Sequence, residues 1–230
     1  MIRTLTVIIS VILLFCNGTG SRLDKGAVNL ELGDYLRARA CFESVVNTHP
    51  SSVKARLGLG KALLQQWTVM PIDTTLLSGA LVQLEAARTL QAGEEVEQLL
   101  GSVWCQRADV CLGTGDTVAA LKALSRATSL DPKAVRPLNT AGILYFHRGE
   151  RTKALNLFRL ITTIDTASVS GFFNMGMVFW SDSNYQRAAE AFFEAVRRSP
   201  DDRQLLRWAA LAKKYRTERP GPDSGGIDEP

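Results

Sequence analysis

The side chains in this sequence that could carry covalent or acid–base chemistry are few and scattered. Ser102 and Asp109 share one predicted helix, but no histidine stands near them to take a proton, so the nucleophile–base pair of a hydrolase is missing. The two histidines, His49 and His147, lie far apart, and neither has cysteine or histidine at zinc-ligand spacing. Glu43, Glu85, Glu190 and Glu194 fall on the polar faces of their helices. Gly113-Thr114-Gly115-Asp116-Thr117 has the look of a phosphate loop, yet no strand precedes it and no Gly-Lys-Ser/Thr follows, so it reads as a turn between helices. Cys105 and Cys111 sit on one helix about 9 Å apart in rise, too far for a disulfide, and Cys41 lies on another helix. All three read as small buried residues. The sequence therefore predicts no catalytic residue, no metal site and no cofactor, and leaves apolar and aromatic contact as the chemistry to explain.

Cys16 belongs to a different kind of chemistry. Arg3 is followed by twelve mostly apolar residues from Leu5 to Cys16, and then by the small, polar run 17–21. Twelve helical residues span about 18 Å, short of the roughly 30 Å hydrocarbon core, so residues 1–20 read as a secretory signal rather than a membrane span. Three fates stand open. The signal is cleaved after Gly18 or Gly20, or it is retained as an anchor, or Cys16 is acylated. The third rests on Leu13-Leu14-Phe15-Cys16, which resembles a bacterial lipoprotein box, although Phe15 stands where that box carries a small residue. Asn17-Gly18-Thr19 fits a glycosylation acceptor but reads as spacer beside the cleavage site. An odd cysteine count after cleavage fits an envelope protein without structural disulfides. Any membrane contact is expected through this segment alone.

The elements that must position everything else are written in one unit of thirty-four residues, repeated three times from Gly101 to Asp202. Gly115, Gly149 and Ser183 align. So do Ala120, Ala154 and Ala188, then Leu124, Phe158 and Phe192, then Ala127, Ile161 and Ala195. Ala108, Gly142 and Gly176 keep the same spacing earlier in the unit. A fixed period of this length marks a helical repeat array. Each unit reads as two helices with one apolar stripe each, such as Ala154, Leu157, Phe158 and Ile161. Small residues at the eighth and twentieth places let helix axes approach, and large ones at the twenty-fourth fill the space between layers. Gly115 and Gly149 suit a chain reversal at positive φ.

The pattern resembles the tetratricopeptide repeat. Repeat five carries Phe172, Met175-Gly176, Phe179, Asn184-Tyr185, Ala188, Phe192, Ala195 and Pro200 at the family's signature places, and repeat three adds Trp104. The resemblance implies an all-α, right-handed superhelix of about five hairpins over residues 21–52, 53–92, 101–134, 135–168 and 169–202. An amphipathic helix over 203–215 is predicted to cap its apolar end, and 216–230 to form a disordered tail. Repeat two departs from the pattern, with about eight extra residues between its helices, so Trp67 to Asp73 should form a loop with Thr74 or Thr75 capping the next helix. Trp67 and Met70 either make contacts there or tuck onto the neighbouring helix. Residues 91–100 run six longer than the repeat needs, and Glu94, Glu95 and Glu97 suit the first turn of a lengthened helix.

In this family the concave wall comes from fixed places on each first helix. Carried over, those places are Lys54 and Lys61 in repeat two, Arg136, Asn139, Ile143 and Phe146 in repeat four, and Phe173, Met177 and Trp180 in repeat five. Phe146, Phe173, Met177 and Trp180 either form a pocket for an apolar anchor or, in the last three cases, are covered by the capping helix. The lysine–asparagine–arginine order of the family's carboxylate clamp is absent, so terminal carboxylates of chaperone tails are not predicted ligands. Of 230 residues 46 % are apolar, enough for one sizeable domain, and the net charge of +4 is spread without a basic, aromatic block, so nucleic acid is not an expected partner. The reading is an exported, non-catalytic adaptor of a bacterial envelope, periplasmic or membrane-tethered, that binds a peptide or partner helix in its groove. The alternative is an assembly factor of a secretion, pilus or outer-membrane machine, acting through its ends or convex face and self-associating.

Overall fold

The computed structural model describes residues 19–71 and 73–218 of the chain, so the expectations placed on the signal segment, including Cys16, and on residues 219–230 lie outside it. The described residues form eleven α-helices and no strand. They are α1 (Thr19–Glu31), α2 (Tyr35–Thr48), α3 (Val53–Val69), α4 (Thr75–Leu90), α5 (Glu94–Gly113), α6 (Thr117–Leu130), α7 (Val135–His147), α8 (Arg151–Ile164), α9 (Val169–Ser181), α10 (Tyr185–Arg198) and α11 (Arg203–Glu218). The all-α helical-repeat class is the one the period demands.

The described residues divide into two compact units, the first holding those up to Val110 with 129–131, the second holding 111–128 and those from 132 to 218. In the first, α1 packs on α2, α2 on α3 and α3 on α4, and α1 also touches α3. Its core gathers Phe42, Leu59, Leu63, Trp67, Leu84 and Leu100. In the second, α7 packs on α8, α8 on α9, α9 on α10 and α10 on α11, while α7 also meets α9. That unit holds one cluster around Leu138, Phe158, Ile161 and Val178, and another around Phe179, Ala188, Phe192, Ala209 and Ala212. Contact of neighbouring helices, with α1 also reaching α3 and α7 reaching α9, is how a hairpin that cannot cover its own apolar face covers its neighbour's.

The small residues of the repeat do what their size implies. A Cβ placed on Gly142 would lie 2.5 Å from Phe158 Cε1, and one on Gly176 would lie 2.5 Å from Phe192 Cε1. Both phenylalanines are fully buried, so the glycine-to-ring contact sets how closely the two helices of a hairpin approach. In the first unit the Phe42 ring lies between Gly26 and Gly58 in the same way.

The turns within hairpins share one pair of hydrogen bonds. Gly115 N donates to Leu112 O and Asp116 N to Cys111 O; Gly149 and Glu150 repeat this on Phe146 and Tyr145, and Ser183 and Asn184 on Trp180 and Phe179. This closure needs the left-handed region, which the chain reaches at φ 79° and 78° for Gly115 and Gly149. Ser183 adopts φ 59° without being glycine. Side-chain caps start several of the following helices: Asp34 accepts from Arg37 N, Ser52 from Ala55 N, Asp116 from Ala119 N, Ser168 from Gly171 N and Asn184 from Arg187 N.

Four details differ from the sequence reading. The described part of α1 takes in Thr19 and Gly20, two residues assigned to the signal segment. The cap of α4 is made by Asp73, whose Oδ1 accepts from Thr75 N at 2.9 Å and from Thr75 Oγ1 at 2.6 Å; Thr74 is already in helical geometry and makes no side-chain cap. The loop is also shorter than expected, since α3 continues through Val69. The last helix runs to Glu218, three residues past the predicted end, so 216–218 are helical rather than part of the tail. By contrast, α5 starts at Glu94 with Glu95 and Glu97 in its first turn, as the dipole argument required.

Gly142→Ala is expected to lower stability by about 1–3 kcal/mol through overpacking, and adding Phe158→Leu should recover part of that loss. Ser183→Gly should raise stability by roughly 1 kcal/mol by removing left-handed strain. Urea unfolding midpoints at constant slope measure both effects.

Candidate functional site

The residues of the carried-over wall fall into separate groups. In the first unit Lys54 is exposed, whereas Lys61 is ion-paired with Glu95 of the extra turn of α5. In the second unit Arg136, Asn139, Ile143 and Phe146 form one stripe on α7, since steps of three and four residues return to the same side of a helix. Arg136 is exposed, Asn139 and Phe146 are half-buried, and Ile143 is 36 % exposed. Asn174 Nδ2 donates to Asn139 Oδ1 at 2.7 Å, tying α9 to α7 beside that stripe. The Phe146 ring stands 5.8 Å from the His147 ring.

Phe173, Met177 and Trp180 make the equivalent stripe on α9, and α11 meets it. The indole of Trp208 lies 6.5 Å from the Phe173 ring, 5.6 Å from Trp180 and 5.7 Å from Phe192. Tyr215 stands 5.2 Å from Trp180 and 5.3 Å from Tyr185. Met177 packs against the same cluster, together with Ala209 and Ala212 of α11. Most of these pairs are edge-on or tilted, as the ring quadrupole favours, each contributing about 0.5–1.5 kcal/mol beyond the area buried. Of the two readings left open for this stripe, packing under the final helix describes Phe173, Met177 and Trp180. Among described residues, apolar exposure on the wall is concentrated at Ile143.

Two further surfaces stand apart from the wall, the first of them not singled out by sequence reasoning. On the other side of α9, Phe172, Met175 and Phe179 line a cavity of about 700 Å³ with Arg159 of α8 and Arg187, Glu190, Ala191, Phe193, Glu194, Val196 and Arg197 of α10. The signal was present as paired aromatics, Phe172-Phe173 and Phe192-Phe193. Adjacent residues on a helix diverge by about 100°, so each pair must send one ring to each side. Phe192 is fully buried and Phe193 is 41 % exposed. Hydrogen bonds from Arg198 first, and Arg197 second, hold the Glu194 carboxyl below its ordinary range, and the Arg198 guanidinium lies 3.8 Å from the Phe172 ring centroid.

The second surface involves the insertion of repeat two, whose ambiguity resolves residue by residue. Trp67 tucks into the core at 4 % exposure, while Met70 stands 60 % exposed. With Leu32, Leu36 and Val69, each also above 60 % exposed, Met70 lines an apolar depression of about 410 Å³. Gln66 contributes to its wall, and its Oε1 is buried without a hydrogen-bond partner.

The free cysteines are Cys105, which is buried, and Cys41 and Cys111, which are half-buried rather than fully enclosed as the sequence suggested. No group of three or more His, Cys, Asp or Glu among the described residues could hold a metal ion. No helix among them is long and apolar enough to cross a membrane.

A wall of half-buried aromatics on stacked hairpins, with glycine seating the ring between the paired helices, is the arrangement of one repeat class. Models of the tetratricopeptide repeat match residues 23–66, 101–134 and 173–212, and the chain belongs to that family. Protein bimA of Emericella nidulans is 26 % identical over 169 residues, which is 73 % of this chain but 21 % of that protein, so the chain spans about a fifth of the relative's length. Among solved structures, MamA superposes with a TM-score of 0.56 at 21 % identity, covering 81 % of this chain and 94 % of MamA. YrrB, described as a repeat protein of this family with an unusual peptide-binding site, gives 0.53 at 20 % identity, covering 84 % and 91 %. A tetratricopeptide repeat protein from Parabacteroides merdae gives 0.56 at 17 % identity, covering 87 % and 74 %. At these identities the likeness is one of fold.

Trp208→Ala should cost about 3 kcal/mol and shift the emission of Trp180 to longer wavelength as its ring meets water. Arg207→Ala, exposed on the same helix, should change neither the unfolding midpoint nor the spectrum.

Proposed function

We propose that this chain is a non-catalytic adaptor that binds a peptide or helix of another protein along the α7 stripe of the wall, beside the part that the final helix covers. Its class supports protein–protein interaction, and one observation carries the finer reading. The wall accepts an amphipathic helix of this same chain through Trp208 and Tyr215, while one repeat earlier the matching places Asn139, Ile143 and Phe146 lie open on one side. Ile143 offers apolar area, Phe146 a ring edge, and Arg136 with Asn139 polar groups to orient a backbone or carboxylate. The peptide-binding site attributed to YrrB is compatible with this reading. A photo-crosslinking amino acid at Ile143, introduced in the native host, should trap a defined protein that the same probe at exposed Ser125 does not. Ile143→Glu should weaken that interaction by roughly tenfold with the helical circular dichroism unchanged. If the two probe positions trap the same proteins, the wall is not the site.

The envelope location rests on Arg3, the apolar run to Cys16 and the small residues after it. Metabolic labelling with a fatty-acid probe should mark the wild-type chain and not Cys16→Ser if Cys16 anchors it; fractionation into the periplasm without label supports cleavage after Gly18 or Gly20 instead. A second reading, an assembly factor acting through other faces, is favoured by the cavity behind α9, which lies off the proposed groove.

A further inference from the structure

We propose that the cavity between α8, α9 and α10 is a second docking site, built for an acidic amphipathic segment of another protein. It goes beyond the groove reading, because Phe172, Met175 and Phe179 project from α9 roughly 130° away from Phe173, Met177 and Trp180. About 700 Å³ of space lined by Phe172, Met175, Phe179 and Phe193 suits large apolar anchors. Phe193 is 41 % exposed, on a helix that buries Phe192 completely.

The charges on the rim choose the partner. Glu194 is already taken, by Arg197 and Arg198 at 2.7 Å each. Glu190 accepts a hydrogen bond from the Gln186 amide. Arg187 lies over the Phe179 ring at 5.9 Å, and neither Arg187 nor Arg159 has a carboxylate within ion-pair distance among the described residues. The rim thus presents two guanidiniums without an ion-pair partner, Arg159 on α8 and Arg187 on α10, flanking an aromatic floor on α9. Against them stands one carboxylate, Glu190, that likewise pairs with no cation among the described residues. Each guanidinium can grip a carboxylate with two parallel hydrogen bonds. A helix with an apolar side chain directed into the floor and Asp or Glu one turn to each side matches both features. Glu190 and Glu194 line the cavity with the arginines, so the rim carries both signs. That mixture selects a peptide with separate carboxylates over a uniformly anionic surface such as a lipid bilayer or a nucleic acid.

The test uses the full chain and a fluorescein-labelled peptide of about sixteen residues, roughly four helical turns, with Leu and Phe along one stripe and Asp and Glu elsewhere. A counterpart carries Lys at every acidic place. The acidic peptide should bind, more weakly as salt rises, and the basic one should not. The double variant Arg159→Glu with Arg187→Glu, and separately Phe193→Asp, should each weaken binding by roughly tenfold or more with circular dichroism unchanged. Ile143→Glu should leave it unaltered, which separates this site from the groove. The proposal is overturned if both peptides bind alike, if neither binds, or if the arginine double variant binds as well as wild type. It is also overturned if vesicles of phosphatidylglycerol compete as strongly as excess unlabelled acidic peptide, or if light scattering shows a dimer that Phe193→Asp dissolves.

Discussion

Within a hairpin of the second unit, a phenylalanine ring rests on a glycine of the partner helix, and most of the architecture there follows from that contact. Phe158 against Gly142 and Phe192 against Gly176 leave no room for a methyl group. The close approach exposes the flanks of the first helix in each hairpin, so its remaining apolar residues must find cover from the next hairpin. The stacking of α7, α8, α9, α10 and α11 is the consequence. The Phe42 ring between Gly26 and Gly58 applies the same device at the start of the chain, where the repeat is otherwise weakly written.

Turn chemistry makes the contact reproducible. The paired hydrogen bonds at Gly115, Gly149 and Ser183 reverse the chain in the same geometry each time, and the side-chain caps at Asp116 and Asn184 start the next helix two residues later. A fixed reversal means that a fixed number of residues later the ring meets the glycine again. The period of thirty-four is therefore a geometric requirement rather than a compositional habit. Ser183 tolerates the left-handed conformation at some cost, which the burial of Phe179, Ala188 and Phe192 on either side outweighs.

The helix α9 illustrates how one element serves two surfaces. Its apolar residues surround most of its circumference, so no single stripe could be read as the buried one. Gly176 and Val178 go to the interior, Phe173 and Trp180 meet Trp208, and Phe172, Met175 and Phe179 open on the cavity beside α10. A helix apolar on all sides ordinarily lies in a core. Here the final helix covers one side with aromatic side chains, while arginines line the other.

What could be read directly from the amino-acid order was the helical class, the thirty-four-residue period and the positive-φ turns at Gly115 and Gly149, because each depends on neighbours within one period of the chain. The wall of Asn139, Ile143 and Phe146 came from the resemblance to the family, and their steps of three and four place them together on one side of a helix. Spacing could not say which side chains of that wall stay open, because exposure depends on what a different helix brings. The outcome at Phe173 and Trp180 was decided by Trp208 and Tyr215, about thirty-five residues away. The fate of Trp67 against Met70, three residues apart in one insertion, was likewise decided by where α3 ends in space. Periodicity records which face of a helix is apolar; only packing in three dimensions allots that face to a neighbour, to a cavity or to water.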